Sequence, residues 1–149
     1  MKFIPSKFQA AFKMKKFKSY SQIYAEANRQ ATKGLALEVR NEAVKLLTNI
    51  SPGRKETRYS PKRDVTVSKP GDPPNTDLGV LRQGIKVEQV SETLVLVGTN
   101  VPYGRDLEFG SSAKNVAARP WLSVAFNIVA SKAAKIRDKY FKNYVKANT

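Results

Sequence analysis

The sequence contains neither cysteine nor histidine. Disulfide bonds, thiolate nucleophiles, imidazole acid–base catalysis and zinc sites with cysteine or histidine ligands are therefore excluded. No uninterrupted apolar run approaches the ~18 residues of a membrane-spanning helix, so none is expected. The first residues are basic but lack the unbroken apolar stretch and small-residue cleavage site of a secretory signal, and we expect no such signal.

Acidic residues are also scarce, with 12 Asp and Glu against 27 Lys and Arg and a net charge of +15. Residues 1–63 hold 15 of the basic residues and four of the acidic ones. Such a charge favours a polyanionic neighbour, namely a nucleic acid, an anionic membrane or an acidic protein surface, although a solvated basic surface is also consistent with it. With so few acids, no imidazole and no phosphate-binding glycine motif, we expect no enzyme, no metal site and no cofactor or other small-molecule ligand.

Residues 1–18 form a basic arm with six lysines, no acid and four interleaved phenylalanines. Phe8 and Phe12 are one helical turn apart, which is compatible with a short amphipathic helix. Three interpretations remain open for this arm. It orders on assembly against nucleic acid or a partner subunit, it packs its phenylalanines onto the domain, or it lies on a membrane surface, which Pro5 disfavours.

A long helix is predicted from Ser19–Ser21 to about Ile50, because apolar residues recur there at steps of three and four. Ser21 is suited to the N-cap, and the Ser-Pro-Gly sequence at 51–53 ends the helix. A helix of about 30 residues is ~45 Å long, which exceeds what a small domain needs. Its small residues allow close packing against a sheet or a second subunit.

Residues 51–77 are basic and rich in proline and glycine, which predicts a long irregular loop with one short strand at Val65–Val67. Five cations near Tyr59 are candidates for contact with a polyanion such as a nucleic-acid backbone: Arg54, Lys55, Arg58, Lys62 and Arg63. A flexible solvated loop is the alternative. No base-reading motif is present, so sequence-specific readout is not expected.

The second half of the chain alternates short elements. Asp77 is suited to cap a short helical turn, and the stretches 85–90 and 93–99 predict a β-hairpin. A final helix is predicted from Pro120, which suits a first helical turn, to about residue 145. The order of elements predicts one α+β domain over residues 19–149, with a small antiparallel β-sheet packed by the long N-terminal helix and the C-terminal helix.

An aromatic and glycine-rich loop, YGRDLEFG, precedes the final helix. Glu108 lies between two apolar residues, so it is expected to need a partner, which is Arg119 or an arginine of a neighbouring subunit. An exposed loop glutamate is the alternative. The aromatic residues are expected to be core or interface anchors, and the glycines to supply unusual backbone angles. The candidate interface and loop positions are Tyr103, Glu108, Phe109, Gly110, Arg119, Pro120 and Trp121.

Three pieces of the sequence follow one another in a characteristic order: KPGDPPNTDLGVLRQGI, VGTNVPYGRDLEFG and ARPWLSVAF. In order and spacing they resemble the HK97 gp10-like family of tailed-phage proteins, also described as tail completion or head–tail joining proteins. Trp121 stands where phenylalanine is usual, residues 104–107 depart from the pattern, and the arm 1–18 is outside it. The matching positions are Pro70, Gly71, Pro73, Pro74, Gly79, Leu81, Arg82, Ile85, Val97, Gly98, Tyr103, Glu108, Phe109, Gly110, Arg119, Pro120 and Ala125.

The resemblance implies a structural protein of the virion neck or upper tail that is made in the host bacterial cytoplasm. It implies a homo-oligomer, a hexameric ring, next to other neck proteins and tail-tube or tail-terminator proteins. DNA passes through such a ring, so transient non-specific DNA contact and no stable membrane association are expected. The residues themselves leave two alternatives, a free non-specific nucleic-acid-binding protein and a membrane-active protein that uses the arm.

Overall fold

The computed structural model describes residues 19–149 and has an α+β fold, which confirms the predicted fold class. The arm 1–18 lies outside the described residues, and its interpretations stay predictions. The strands form two separate two-stranded antiparallel sheets. The elements in chain order are α1 (Tyr20–Thr48), β1 (Gly53–Tyr59), β2 (Lys62–Ser68), α2 (Val80–Gln83), β3 (Ile85–Gln89), β4 (Val95–Thr99), α3 (Pro102–Phe109), α4 (Leu122–Ala130) and α5 (Ala133–Asn148).

The predicted long helix is confirmed as α1, although its N-cap is Ser19 and not Ser21. The Gln22 backbone N–H donates to the Ser19 hydroxyl, while the Gln22 side chain accepts from the Ser19 backbone N–H at 3.1 Å. This capping box satisfies two donors at the helix start that otherwise lack partners. The helix ends at Thr48, and all but one of the steps between its buried residues are the expected three or four residues: Ile23, Ala27, Ala31, Gly34, Ala36, Val39, Ala43 and Leu47.

Both C-terminal helices pack against α1. α5 lies along the first and middle turns of α1, where the rings of Tyr24 and Phe141 are 5.7 Å apart and the Tyr140 hydroxyl donates to the Glu38 carboxylate at 3.1 Å. α4 lies along the C-terminal half, where Ala43 and Leu47 form the core with Trp121 and Ala125. α1 therefore provides the surface on which both C-terminal helices pack.

The C-terminal helix is divided, so the prediction of one continuous helix from Pro120 is wrong. α4 starts after Trp121, which places Pro120 before the helix and not in its first turn. α4 ends at Ala130, and the Ser131 hydroxyl donates to the Ile128 carbonyl at 2.7 Å. A serine that bonds back to a carbonyl of the preceding turn competes with the main-chain pattern, which accounts for an interruption without proline or glycine.

The hairpin predicted over residues 85–99 is confirmed as β3–β4, with Val87 opposite Val97. It packs against α1, where Arg40 Nε donates to the Ile85 carbonyl at 3.3 Å. The predicted cap at Asp77 is wrong, because the residue before α2 is Gly79 in the left-handed region, with φ of 78°. Asp77 instead pairs with an arginine of β2.

Most of the predicted irregular loop 51–77 is an antiparallel hairpin, β1–β2, which is a correction to the sequence-based interpretation. Gly53 lies opposite Ser68, and Tyr59 lies opposite Lys62 across a two-residue turn. Charged side chains occupy both faces, so no apolar alternation marks the strands. The structure depends on main-chain pairing, and Thr57 adds a cross-strand hydrogen bond to Asp64 at 2.8 Å.

Polar contacts attach the hairpin β1–β2 to the rest of the fold. The Asn75 amide donates to the carbonyls of Ser51 and Thr66 at 2.8 Å each and accepts from the Ser51 N–H at 2.7 Å. Arg119 Nε donates to the Ser68 carbonyl at 3.0 Å. A two-stranded hairpin is marginally stable by itself, so these bonds determine its position.

α1 and α5 approach each other closely at Gly34. A Cβ atom at this position would lie 2.6 Å from ring carbons of Tyr140. We expect Gly34→Ala to lower the free energy of unfolding by about 1–2 kcal/mol, because overpacking costs ~1–3 kcal/mol and exceeds the ~1 kcal/mol gain in helix propensity. Urea denaturation measures the change. Gly98→Ala is the control, since nothing lies within 4 Å of the added atom, and an equal loss in both variants would contradict the argument.

Candidate functional site

The prediction of a glycine-rich loop at 103–110 is wrong, because most of this stretch is a helix. α3 begins at Pro102 and ends before Gly110, whose φ of 76° is the unusual angle expected there. Gly104 lies inside α3 and serves close packing, because a Cβ atom on it would lie 2.7 Å from Thr99 Cγ2. Gly104 has no unusual backbone angle and instead allows α3 to pass close to the end of β4.

Glu108 holds the start of α4. Its Oε2 accepts from the backbone N–H groups of Trp121 and Leu122 at 2.8 and 2.9 Å, and its Oε1 accepts from that of Ser123 at 3.0 Å. The first N–H groups of a helix have no partner within the helix and carry partial positive charge. The carboxylate therefore satisfies three of them and fixes α4 against α3.

Burial and hydrogen bonding act on Glu108 in opposite directions. The residue is 9% exposed, and this burial works to raise the pKa of its carboxyl group. Hydrogen bonds from the Ser123 side chain and from the three backbone N–H groups outweigh burial, so the pKa lies below its ordinary value. Glu108 is thus a buried anion at neutral pH.

The predicted pair of Glu108 with Arg119 is wrong. Arg119 Nε donates to the Ser68 carbonyl at 3.0 Å, and its Nη1 donates to the Ala117 carbonyl at 3.1 Å. The negative charge of Glu108 is stabilised by backbone N–H groups at the start of α4 and not by a side-chain cation. The sequence does not reveal such main-chain partners. Arg119 connects the hairpin β1–β2 to the segment before α4.

Trp121 is confirmed as a core anchor, whereas the other two aromatic candidates are exposed. Trp121 is 1% exposed, and its indole Nε1 donates to the Gly104 carbonyl at 3.4 Å. Phe109 is 75% exposed and Tyr103 is about half exposed, so neither belongs to the core. Their assignment to a subunit interface stays a prediction.

Two grooves lie on opposite flanks of α3. The hairpin groove, of about 760 Å³, separates β1–β2 from the body and has exposed apolar side chains at Leu78, Val80 and Tyr103. The α1 groove, of about 710 Å³, lies between α1, β4, α3 and α4. Exposed apolar side chains line it at Leu96, Phe109 and Phe126. Clustered apolar side chains at a protein surface mark interaction sites.

The five predicted polyanion-binding cations are not brought together. Strand alternation places Arg54, Arg58 and Arg63 on the face towards the hairpin groove. Arg54 and Arg58 form ion pairs with Glu56, and Arg63 forms a bidentate pair with Asp77 at 2.5–2.6 Å.

The other two cations, Lys55 and Lys62, lie with Tyr59 on the outer face of the hairpin. Neither forms an ion pair with a residue between 19 and 149. Only these two cations of the five are therefore unpaired and directed outward.

A second basic surface was not singled out from the sequence. Five exposed lysines lie along α5, from just before its start to its last turn: Lys132, Lys135, Lys139, Lys142 and Lys146. Their spacing of three, four, three and four residues is the signal for a single helical face. We refer to these residues as the lysine row.

Two further observations concern residues 19–149. No helix in this part of the chain has the length and apolar character needed to cross a bilayer. No group of three or more acidic, histidine or cysteine side chains in it is arranged to hold a metal ion.

Comparison with known proteins finds no family model, no curated protein and no solved structure that matches this chain. The likeness to tail completion proteins consists of the three sequence pieces described above. Any function for the chain is therefore argued from those pieces together with the geometry of the two grooves and the basic surfaces.

Proposed function

We propose that the chain is a structural subunit of a tailed-phage virion, part of the neck or tail-completion ring through which DNA passes between head and tail. The observation that carries this proposal is the pair of apolar grooves on opposite flanks of α3. The order and spacing of the three sequence pieces supply the class of assembly.

Two different apolar surfaces favour head-to-tail association. A symmetric dimer needs one self-complementary patch, whereas a ring needs two distinct surfaces that fit each other on neighbouring copies. The hairpin groove is bordered by charged strands, and the α1 groove is lined mainly by aromatic and aliphatic side chains. Their unlike character supports a heterologous contact, and the resemblance supplies the six-fold symmetry of the proposed ring.

The motif residues and the grooves coincide in space. Glu108 and Trp121 fix the angle between α3 and α4, and Tyr103 and Phe109 project from the two flanks of α3. The pieces of sequence that resemble the family thus build the wall that the two grooves share. The location supports the proposal, because subunits that form a ring are expected to share the residues that shape their contact surfaces.

The proposal is tested by locating the protein in particles. Lysate from a host that produces the phage is treated with nuclease, banded on a density gradient and probed with an antibody to this chain. A signal in tailed particles, at a few copies for each portal, is the expected result. A signal confined to soluble fractions, with binding to nucleic acid that disappears at high salt, would overturn it in favour of a free nucleic-acid-binding protein.

Replacement of the exposed phenylalanines of the α1 groove is expected to block incorporation without unfolding the chain. Burial of a phenylalanine contributes ~1.5–3 kcal/mol, so Phe109→Ser with Phe126→Ser is expected to lower incorporation at least about tenfold. Immunoblots of banded particles measure it. Ile50→Ser is the matched control, because Ile50 is 81% exposed and lies outside both grooves. Equal incorporation of both variants would exclude the α1 groove as an interface.

A further inference from the structure

The lysine row lies on the side of α5 that faces away from α1. At 100° per residue its five lysines fall within a sector of about 80°, and at 1.5 Å per residue they extend over ~21 Å. The side chains that pack towards α1 belong to the opposite side, where Ile136, Tyr140 and Tyr144 are partly buried. The row is thus a straight line of positive charge on a rigid helix.

The lysines of the row are not used within the described chain. None of them forms an ion pair with another residue between 19 and 149. Asp138, the one acidic residue of α5, lies beside the row and also forms no ion pair within residues 19–149. The charge of the row is therefore not neutralised by residues 19–149 and is available to bind an anion.

The composition of the row favours nucleic-acid phosphates over a protein or a membrane. The centres of protein interfaces are depleted in lysine and rich in aromatic side chains, and no aromatic side chain lies within the row. A membrane-surface helix needs an apolar face beside its basic one, and the apolar face of α5 is covered by α1. Lysine acts as a point charge that binds phosphate without reading bases.

We propose that the lysine row is a binding surface for the phosphate backbone of double-stranded DNA, without sequence preference. A row of ~21 Å runs past about 12 phosphates of a duplex, which carries one charge for every ~1.7 Å of its axis. The inference deepens the proposed function by naming its DNA-facing surface, and its place in the virion rests on that function. The hairpin β1–β2 is expected to bind DNA more weakly, because three of its five cations form ion pairs within the chain.

The test compares two variants of the full chain with equal changes in charge. In the row variant all five lysines of the row are replaced by glutamine. In the hairpin variant Arg54, Lys55, Arg58, Lys62 and Arg63 are replaced by glutamine. Affinity for a short duplex of mixed sequence is measured by fluorescence anisotropy at several salt concentrations between about 50 and 200 mM.

The row variant is expected to reduce the slope of log K against log salt by about 4, because each lost phosphate contact removes ~0.9. The hairpin variant is expected to reduce it by about 2, since two of its cations are unpaired. Equal reductions in the two variants would show a general charge effect and overturn the proposal, as would an unchanged slope in the row variant. Row-dependent binding to anionic phospholipid vesicles, with DNA binding retained, would identify a membrane surface and also overturn it.

This experiment is independent of the particle assay, because it uses the free protein. A chain that is absent from particles but loses DNA affinity through the row refutes the virion assignment and leaves the binding surface intact. If the chain enters particles but its row variant binds DNA normally, the virion assignment stands and the proposed DNA-binding surface is refuted. Thermal unfolding of both variants checks the fold, and exposed lysines are expected to change it little.

Discussion

Replacement of Glu108 by glutamine is expected to lower the free energy of unfolding by about 3 kcal/mol at neutral pH. Three backbone N–H groups point at the carboxylate. Hydrogen bonds to a charged group contribute ~1.5–3 kcal/mol, and a buried donor without a partner costs ~1–3 kcal/mol. In the variant, one side of the amide group offers donors where acceptors are needed. Denaturation in urea at pH 7 measures the loss.

The effect of this replacement is expected to depend on pH. Because the pKa of Glu108 is lower in the folded than in the unfolded chain, its stabilisation is complete above the unfolded value of about 4.3. It is lost as the pH falls through the folded pKa. The difference in stability between the native chain and Glu108→Gln should therefore shrink in acid. Glu88→Gln, at an exposed position of β3, should have little effect at either pH, and a pH-independent difference for Glu108 would contradict the capping role.

Trp121→Ala is expected to lower the free energy of unfolding by about 3–5 kcal/mol, the usual cost of truncating a large buried aromatic side chain. Domains of this size have a total stability of ~5–15 kcal/mol, so a substantial unfolded fraction is expected at physiological temperature. Trp121 fills the core between α1 and α3 and is 1% exposed. Circular dichroism in urea measures the change.

Trp121→Phe separates packing from hydrogen bonding at the same position. It retains an aromatic ring but loses the donor to the Gly104 carbonyl, and we expect a loss of about 1–2 kcal/mol. A loss of stability as large as that of Trp121→Ala would show that a phenylalanine ring does not fill the space of the indole. No loss would show that the bond to Gly104 contributes nothing.

Periodic patterns of apolar residues in the sequence predicted α1 and the hairpin β3–β4. The three- and four-residue steps of α1 gave its length to within two residues at the C-terminal end, and alternation gave β3–β4. Both patterns arise from burial of one face against a core, which sequence records directly. Trp121 was predicted to be a core or interface anchor, and it is a core residue.

The errors fall where the structure depends on main-chain groups. Only the Val65–Val67 part of β1–β2 was predicted as a strand, because the rest is held by backbone pairing and carries charge on both faces. Glu108 was paired with Arg119 because side-chain charges are visible in sequence, whereas the three N–H groups at the start of α4 are not. The break at Ser131 likewise depends on a bond to a main-chain carbonyl.

The scattering of the predicted polyanion site has a geometrical cause. Neighbouring residues of a strand point to opposite faces, so a cluster of cations in sequence becomes two groups in space. On a helix, residues three or four positions apart lie on the same face, so the five lysines along α5 form one row although they are spread over 15 residues. A strand assignment at residues 53–68 is the single piece of information that would have corrected the site.

The packing of α5 on α1 has a consequence for synthesis of the protein. The hydrogen bond between Glu38 and Tyr140 joins positions that are 102 residues apart. At ~5–20 residues per second, the ribosome needs about 5–20 s after Glu38 to reach Tyr140. During that time the face of α1 that α5 covers has no partner helix. Four of the eight buried residues of α1 are alanine and one is glycine, so the waiting helix presents little apolar area to chaperones or to other nascent chains.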